Sequence, residues 1–157
     1  MVKKPPATFE DIATAVRPCL IARPEIVFAY VFGSTARAEA RPDSDVDIAV
    51  FLDDSIPAPD HTRYRAVLAT ELLQCLSRND VDLVVLNQSP VLLTHRVVRD
   101  GEVVLSRDEA KRVTFVTDAG RRYWDTAHLR KVTAEYMRRS LENGTFGKEA
   151  RYRTVLD

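Results

Sequence analysis

Apolar positions change period repeatedly along the chain. Ile12, Ala15, Val16, Cys19 and Leu20 recur at helical spacing behind Thr8 and Asp11, which suit a helix cap, and Pro24 ends the run. A helix is expected over roughly 9–22. "EIVFAYVF", residues 25–32, is a short run rich in β-branched and aromatic residues that stops at Gly33, the pattern of a buried strand followed by a sharp turn. Ser34 to Ala40 suits one or two helical turns, "RPDS" a turn around Pro42 and Asp43, and 45–52 a second strand.

Beyond a polar loop, Tyr64, Leu68, Leu72 and Cys75 or Leu76 mark the inner face of a helix over about 61–77. "VDLVVL", residues 81–86, is almost continuously apolar, which predicts a central strand covered on both faces with Asp82 buried in it. A short helix near 90–98, a turn at Asp100-Gly101 and a strand at 103–105 complete an α/β unit. From Asp108 onward the spacing of Val113, Val116, Tyr123 and Ala127, then Leu129, Val132, Tyr136 and Leu141, predicts helices broken near Asp125. The 157 residues suit one domain, with a core at about 9–106, a helical extension at about 107–142 and a loose tail over 143–157.

Lysine plus arginine equals aspartate plus glutamate at 23 each, so no overall field draws the chain to nucleic acid or an anionic membrane. The charge is uneven, however: residues 37–60 hold seven acids against two bases. No run approaches the roughly 18 apolar residues of a membrane span, and no apolar stretch follows the lysines of "MVKKPPATFEDI". Cys19 and Cys75 occupy inward helical positions and are expected as buried free thiols, in keeping with the cytoplasm. His61, His95 and His128 lack metal-ligand spacing, and neither a P-loop, a dinucleotide Gly-rich turn nor a nucleophile elbow occurs.

The chemistry concentrates in "GSTARAEARPDSDVDIAV", residues 33–50. Residues i and i+2 of a strand share a face about 7 Å apart, so Asp45 and Asp47 can direct both carboxylates to one place. Such a pair repels itself unless a cation intervenes. If the third strand lies beside the second, Asp82 joins them, and three carboxylates without His or Cys form a hard oxygen site suited to Mg²⁺ or Mn²⁺. Gly33 and Ser34, leaving a strand and entering a short helix, offer backbone N–H groups and a hydroxyl to an anion. Phosphoryl or nucleotidyl transfer needs both parts, because its catalysis is mostly positioning and charge stabilisation.

Gly33-Ser34, ten intervening residues, Asp45-Val46-Asp47 and a later Asp82 on an apolar strand resemble the signature of the DNA-polymerase-β-like nucleotidyltransferases. Within that superfamily the stretch is most similar to the minimal nucleotidyltransferase (MNT) antitoxins that pair with HEPN ribonuclease toxins. It departs from their pattern at Ala38, where relatives often carry glycine. The resemblance implies an α/β fold with a small mixed sheet flanked by helices, and C-terminal helices added to it. It also implies that Gly33 and Ser34 bind the nucleotide phosphates, with Arg37 and Ser44 in support, and that Asp45 and Asp47 hold two Mg²⁺ ions. Asp82 would complete one metal shell and accept the proton of the attacking hydroxyl. ATP would be the donor and a tyrosine of the HEPN toxin the acceptor, within a homodimer or hetero-oligomer. A nucleotidyltransferase for a small hydroxylated molecule such as an aminoglycoside, and a non-catalytic antitoxin that acts by binding, are the alternatives.

Overall fold

Thr8 and Asp11 cap the first helix reciprocally: the Asp11 N–H donates to the Thr8 hydroxyl at 3.2 Å, and the Thr8 N–H donates to the Asp11 carboxylate at 3.1 Å. This computed structural model describes residues 8–41 and 44–144; the expected turn at Pro42 and Asp43, and the tail beyond Gly144, lie outside the described residues. Helix α1 (Phe9–Ile21) leads into β1 (Ile26–Phe32), the short α2 (Gly33–Ala36) and β2 (Val46–Leu52). Then come α3 (His61–Leu76), β3 (Val81–Val85), α4 (Val91–Asp100), β4 (Glu102–Ser106), α5 (Glu109–Asp125) and α6 (Ala127–Glu142). The break between the last two helices falls where the apolar spacing places it. None of the described helices is long and apolar enough to cross a membrane.

The sheet is mixed, in the order β3-β2-β1-β4. β1 pairs antiparallel with β2 and β4, while β3 returns parallel to β2 after the α3 crossover. On one face Ile12, Val16 and Leu20 of α1 and Leu68, Leu72 and Leu76 of α3 pack on Val46, Ile48, Val50 and Leu83. On the other, Val97 and Leu93 of α4 and Phe115 of α5 cover Phe28, Tyr30, Phe32 and Ala49. Phe28 stacks on Phe51 with ring centroids 4.7 Å apart, and Phe115 closes over both. β1, with every residue buried, is therefore a central strand.

Two expectations change, and one apolar helix face is left in solvent. β3 is an edge strand, not a central one, and Asp82 is exposed. Its apolar run reflects contact with α3 on one side and α4 on the other, a pattern that edge and centre share when helices cover both faces. Cys19 and Cys75 are joined in a disulfide between α1 and α3, not left as free thiols; each was legible as inward-facing, but the register between the two helices was not. Finally, the apolar stripe of α6 stays in solvent, with Leu129, Val132, Tyr136 and Leu141 all more than half exposed.

Helix α2 ends in a Schellman motif: the Glu39 N–H donates to the Ser34 carbonyl at 2.9 Å and the Ala38 N–H to the Thr35 carbonyl at 3.2 Å. That geometry needs a left-handed residue, and Ala38 supplies it at φ +56°. The departure from the glycine of relatives thus leaves the turn intact and loads it with side-chain strain. Ala38→Gly is expected to stabilise the chain by about 0.5–1 kcal/mol, less than the strain relieved because glycine orders more backbone entropy; chemical denaturation of the two proteins measures it.

Candidate active site

β1 delivers the chain to Gly33 at the sheet's end, and β2 starts beside it, so Phe32 pairs across from Asp47. On the other side of β2, Asp47 pairs across from Asp82 of β3. Asp47 and Ala49 share the sheet face that α4 covers, as do Asp82 and Val84. The apolar layer stops at this end, and a cleft of about 560 Å³ opens there. Gly33, Ser34, Arg37, Ser44, Asp45, Asp47 and Asp82, all seven expected site residues, line it.

Gly33 is indispensable to this geometry. Its φ is +71°, and a Cβ added there would overlap an Asp47 carboxylate oxygen and stand 2.9 Å from the Asp47 Cγ. Among the described residues no side chain caps α2, so the first N–H groups of its turn are available to an anion. Arg37 pairs with Glu39 at 2.9 Å on the rim. The Ser44 hydroxyl accepts from the Arg41 N–H at 2.8 Å, which fastens the loop entering β2.

Asp47 is the electrostatic centre. Burial pushes its carboxyl up from 3.8 to about 6, the negative charges of Asp82 and Asp45 push it the same way, and Arg37 opposes them. Among the described residues no group of three His, Cys, Asp or Glu side chains stands ready to hold a metal ion. The expected trio shares one cleft without closing into a cage, and two of its members, Asp45 and Asp82, are exposed. The donor set nonetheless suits a hard divalent cation: it is all oxygen, and a positive charge between the acids would relieve the repulsion on Asp47.

Other site residues escaped the sequence reading. Arg96 of α4 lines the cleft with Leu93, opposite the acids. Its spacing from Leu93 puts it on that side of α4, but only the topology brings α4 to the acidic end. Arg78 lies behind the site: it donates to the Ser44 carbonyl at 2.8 Å and to an Asp80 oxygen at 2.7 Å, while Val46 N–H donates to the Asp80 carbonyl at 2.9 Å. It therefore braces the segment that carries Asp45. A pocket of about 320 Å³ between Phe51, Phe115 and Arg122 shares no residue with the cleft.

With this geometry in hand, the relatives can be placed. Residues 15–110 match the family described as polymerase beta, nucleotidyltransferase. The chain belongs to this nucleotidyltransferase family. No curated protein matches it. Among solved structures, a chain from a toxin–antitoxin complex with AMP-PNP is 25% identical, superposing with a TM-score of 0.68 over 80% of this chain and 98% of that one. A chain of the toxin–antitoxin pair MntA–HepT, also 25% identical, gives 0.58 over 82% and 95%. The fold is shared as well by a chain from a complex of tri-AMPylated Shewanella oneidensis HEPN toxin with MNT antitoxin, at 24% identity and a TM-score of 0.60, covering 80% and 98%.

Because the folded state holds the Asp47 pKa above its unfolded value, its contribution favours folding fully below about pH 4 and is lost as pH rises through about 6. Asp47→Asn should therefore stabilise the metal-free protein at pH 7.5, by about 1–2 kcal/mol after discounting for partial solvent screening. The gain should vanish near pH 4, and thermal melts in chelator at the two pH values check it.

Proposed function

We propose that the chain is an MNT-type antitoxin that transfers AMP from ATP to a tyrosine hydroxyl of a HEPN ribonuclease toxin and so neutralises it. The observation that carries this reading is the single cleft shared by the Gly33-Ser34 turn, Asp45, Asp47 and Asp82, on a fold shared with chains of toxin–antitoxin complexes. Asp45, Asp47 and Asp82 would hold the divalent ions, which supply the positive charge that neutralises the triphosphate. Backbone N–H groups of the Gly33-Ser34 turn and the Ser34 hydroxyl donate to phosphate oxygens, and Arg37 and Arg96 draw the same oxygens from the rim.

Asp82, exposed at the sheet edge, accepts the proton of the incoming phenol. The phenolic oxygen forms a bond to the α-phosphorus, the bond from that phosphorus to the bridging oxygen breaks, and pyrophosphate leaves. The competing small-molecule reading requires an acceptor pocket beside the acids, formed by the C-terminal helices or by a dimer mate. The α5 pocket, sharing no residue with the cleft, does not meet that need. A partner toxin that brings its own hydroxyl does, and the cytoplasm, where ATP and toxin meet, is the setting this implies.

Incubating the chain with its cognate HEPN toxin, ATP and Mg²⁺ should add one or more AMP groups to the toxin by intact-protein mass spectrometry, and EDTA should abolish the addition. The double variant Asp45→Ala, Asp47→Ala should lower transfer at least 1,000-fold, roughly the scale of losing a charge-stabilising group, and should fail to neutralise. Neutralisation by that variant as complete as by the unaltered chain would mean that binding alone is the mechanism.

A further inference from the structure

The exposed edge of the sheet runs straight from the acidic cleft into a second depression. Val46 N–H donates to the Asp80 carbonyl, which sets the phase of the parallel ladder: Asp82 and Val84 bond inward to β2, while both backbone groups of Val81 and Leu83 and the N–H of Val85 point outward, the Val85 carbonyl being taken by the 3-10 turn over Leu86–Gln88. No strand among the described residues pairs with them. At the far end of β3 a trough of about 320 Å³ is lined by both Val84 and Val85. Since these two side chains lie on opposite faces, the trough straddles the strand edge itself. It meets the catalytic cleft at Val84 and Leu93, which line both.

The trough is also polar in a specific way. Arg65 of α3 lines it and makes no ion pair among the described residues. His61 lines it too, is only 6% exposed, and uses Nε2 as donor to the Ile56 carbonyl at 3.0 Å. Its Nδ1 has no hydrogen-bond partner among the described residues, a costly arrangement for a buried polar atom. Gln88, which also lines the trough, donates from its amide to the Ala58 carbonyl at 3.2 Å.

We propose that β3 is the docking edge for the acceptor: an extended segment of the toxin adds to it as a further strand, bonds to Leu83 and Val85, places an acidic side chain against Arg65, and presents its tyrosine to Asp82. This rests on the reading of the chain as a protein-modifying nucleotidyltransferase. An extended partner satisfies outward backbone groups as no helix or small molecule does. From Val85 to Asp82 the strand rises roughly 10 Å, so the acidic residue and the tyrosine stand about three residues apart on the incoming segment. Arg65 then acts as a positioning residue, and the edge amides select an unfolded or extended acceptor over a helical one.

Two measurements on the full chain with the cognate toxin test this. Amide hydrogen exchange by NMR should slow at least tenfold at Leu83 and Val85 when toxin is added, and unchanged exchange there would overturn the proposal. That readout needs no turnover, so absence of AMP transfer would sink the proposed function while exchange still decides the docking edge. In transfer assays Arg65→Glu and Val85→Pro should each lower kcat/KM toward the toxin at least tenfold, with Kd for AMP-PNP within twofold of the unaltered value. A proline at this outward N–H leaves the β2 ladder whole, and Val85→Ala, which trims the same side chain but keeps the N–H, should stay within threefold. Transfer by both Arg65→Glu and Val85→Pro at the unaltered rate would refute the edge.

Discussion

The Asp47 carboxylate is the constraint around which the site is arranged. It is wedged against a glycine that has no room for a side chain, half-buried, and flanked across the ladder by Asp82 and along the strand by Asp45. Each neighbour makes its ionised form harder to hold. A protein selected only for stability would place an amide or an apolar side chain at this point. Retaining the acid is sensible where a cation arrives to share the charge, and the strain stored on Asp47 then becomes affinity for that cation.

The rest of the fold keeps this arrangement rigid on one side and open on the other. β1 and β2, paired in unbroken register from Phe28–Phe51 to Phe32–Asp47, fix Asp47 against the Gly33 turn. Arg78 and Asp80 brace the loop in front of Asp45. The apolar layer beneath α4 and α5 is complete around Phe28, Phe51 and Phe115 and thins toward Phe32, Val84 and Leu93, so the cleft has an apolar floor and a charged rim. Asp82, by contrast, sits on an edge that no strand among the described residues covers. A fixed donor site beside an open acceptor side suits an enzyme whose second substrate is another protein.

Much of this was legible in the amino-acid order because the informative features are local. Thr8 and Asp11 announce a cap, Gly33 follows a β-branched run, and Asp45 and Asp47 alternate with apolar residues. Spacing alone therefore brought the turn and the first two acids together. What depended on pairing between distant segments was less accessible. An apolar run does not say whether β3 is central or at the edge, so the exposure of Asp82 was missed. Arg96 belongs to the cleft only because α4 crosses that end of the sheet, and the Cys19–Cys75 bond depends on the register of α1 against α3. Ala38 is a separate case: its left-handed backbone is dictated by the Schellman hydrogen bonds around it, which override the preference of alanine.

The most direct test of the account is a titration of the Asp47 carboxyl carbon by NMR, in protein labelled at its aspartates, without divalent ions and then with saturating Mg²⁺ and AMP-PNP. The account predicts a midpoint near 6 in the metal-free protein that falls well below 3.8 when Mg²⁺ and the nucleotide are present. A midpoint close to 3.8 that ignores Mg²⁺ would contradict it, because Asp47 would then be an ordinary surface acid with no charge to share.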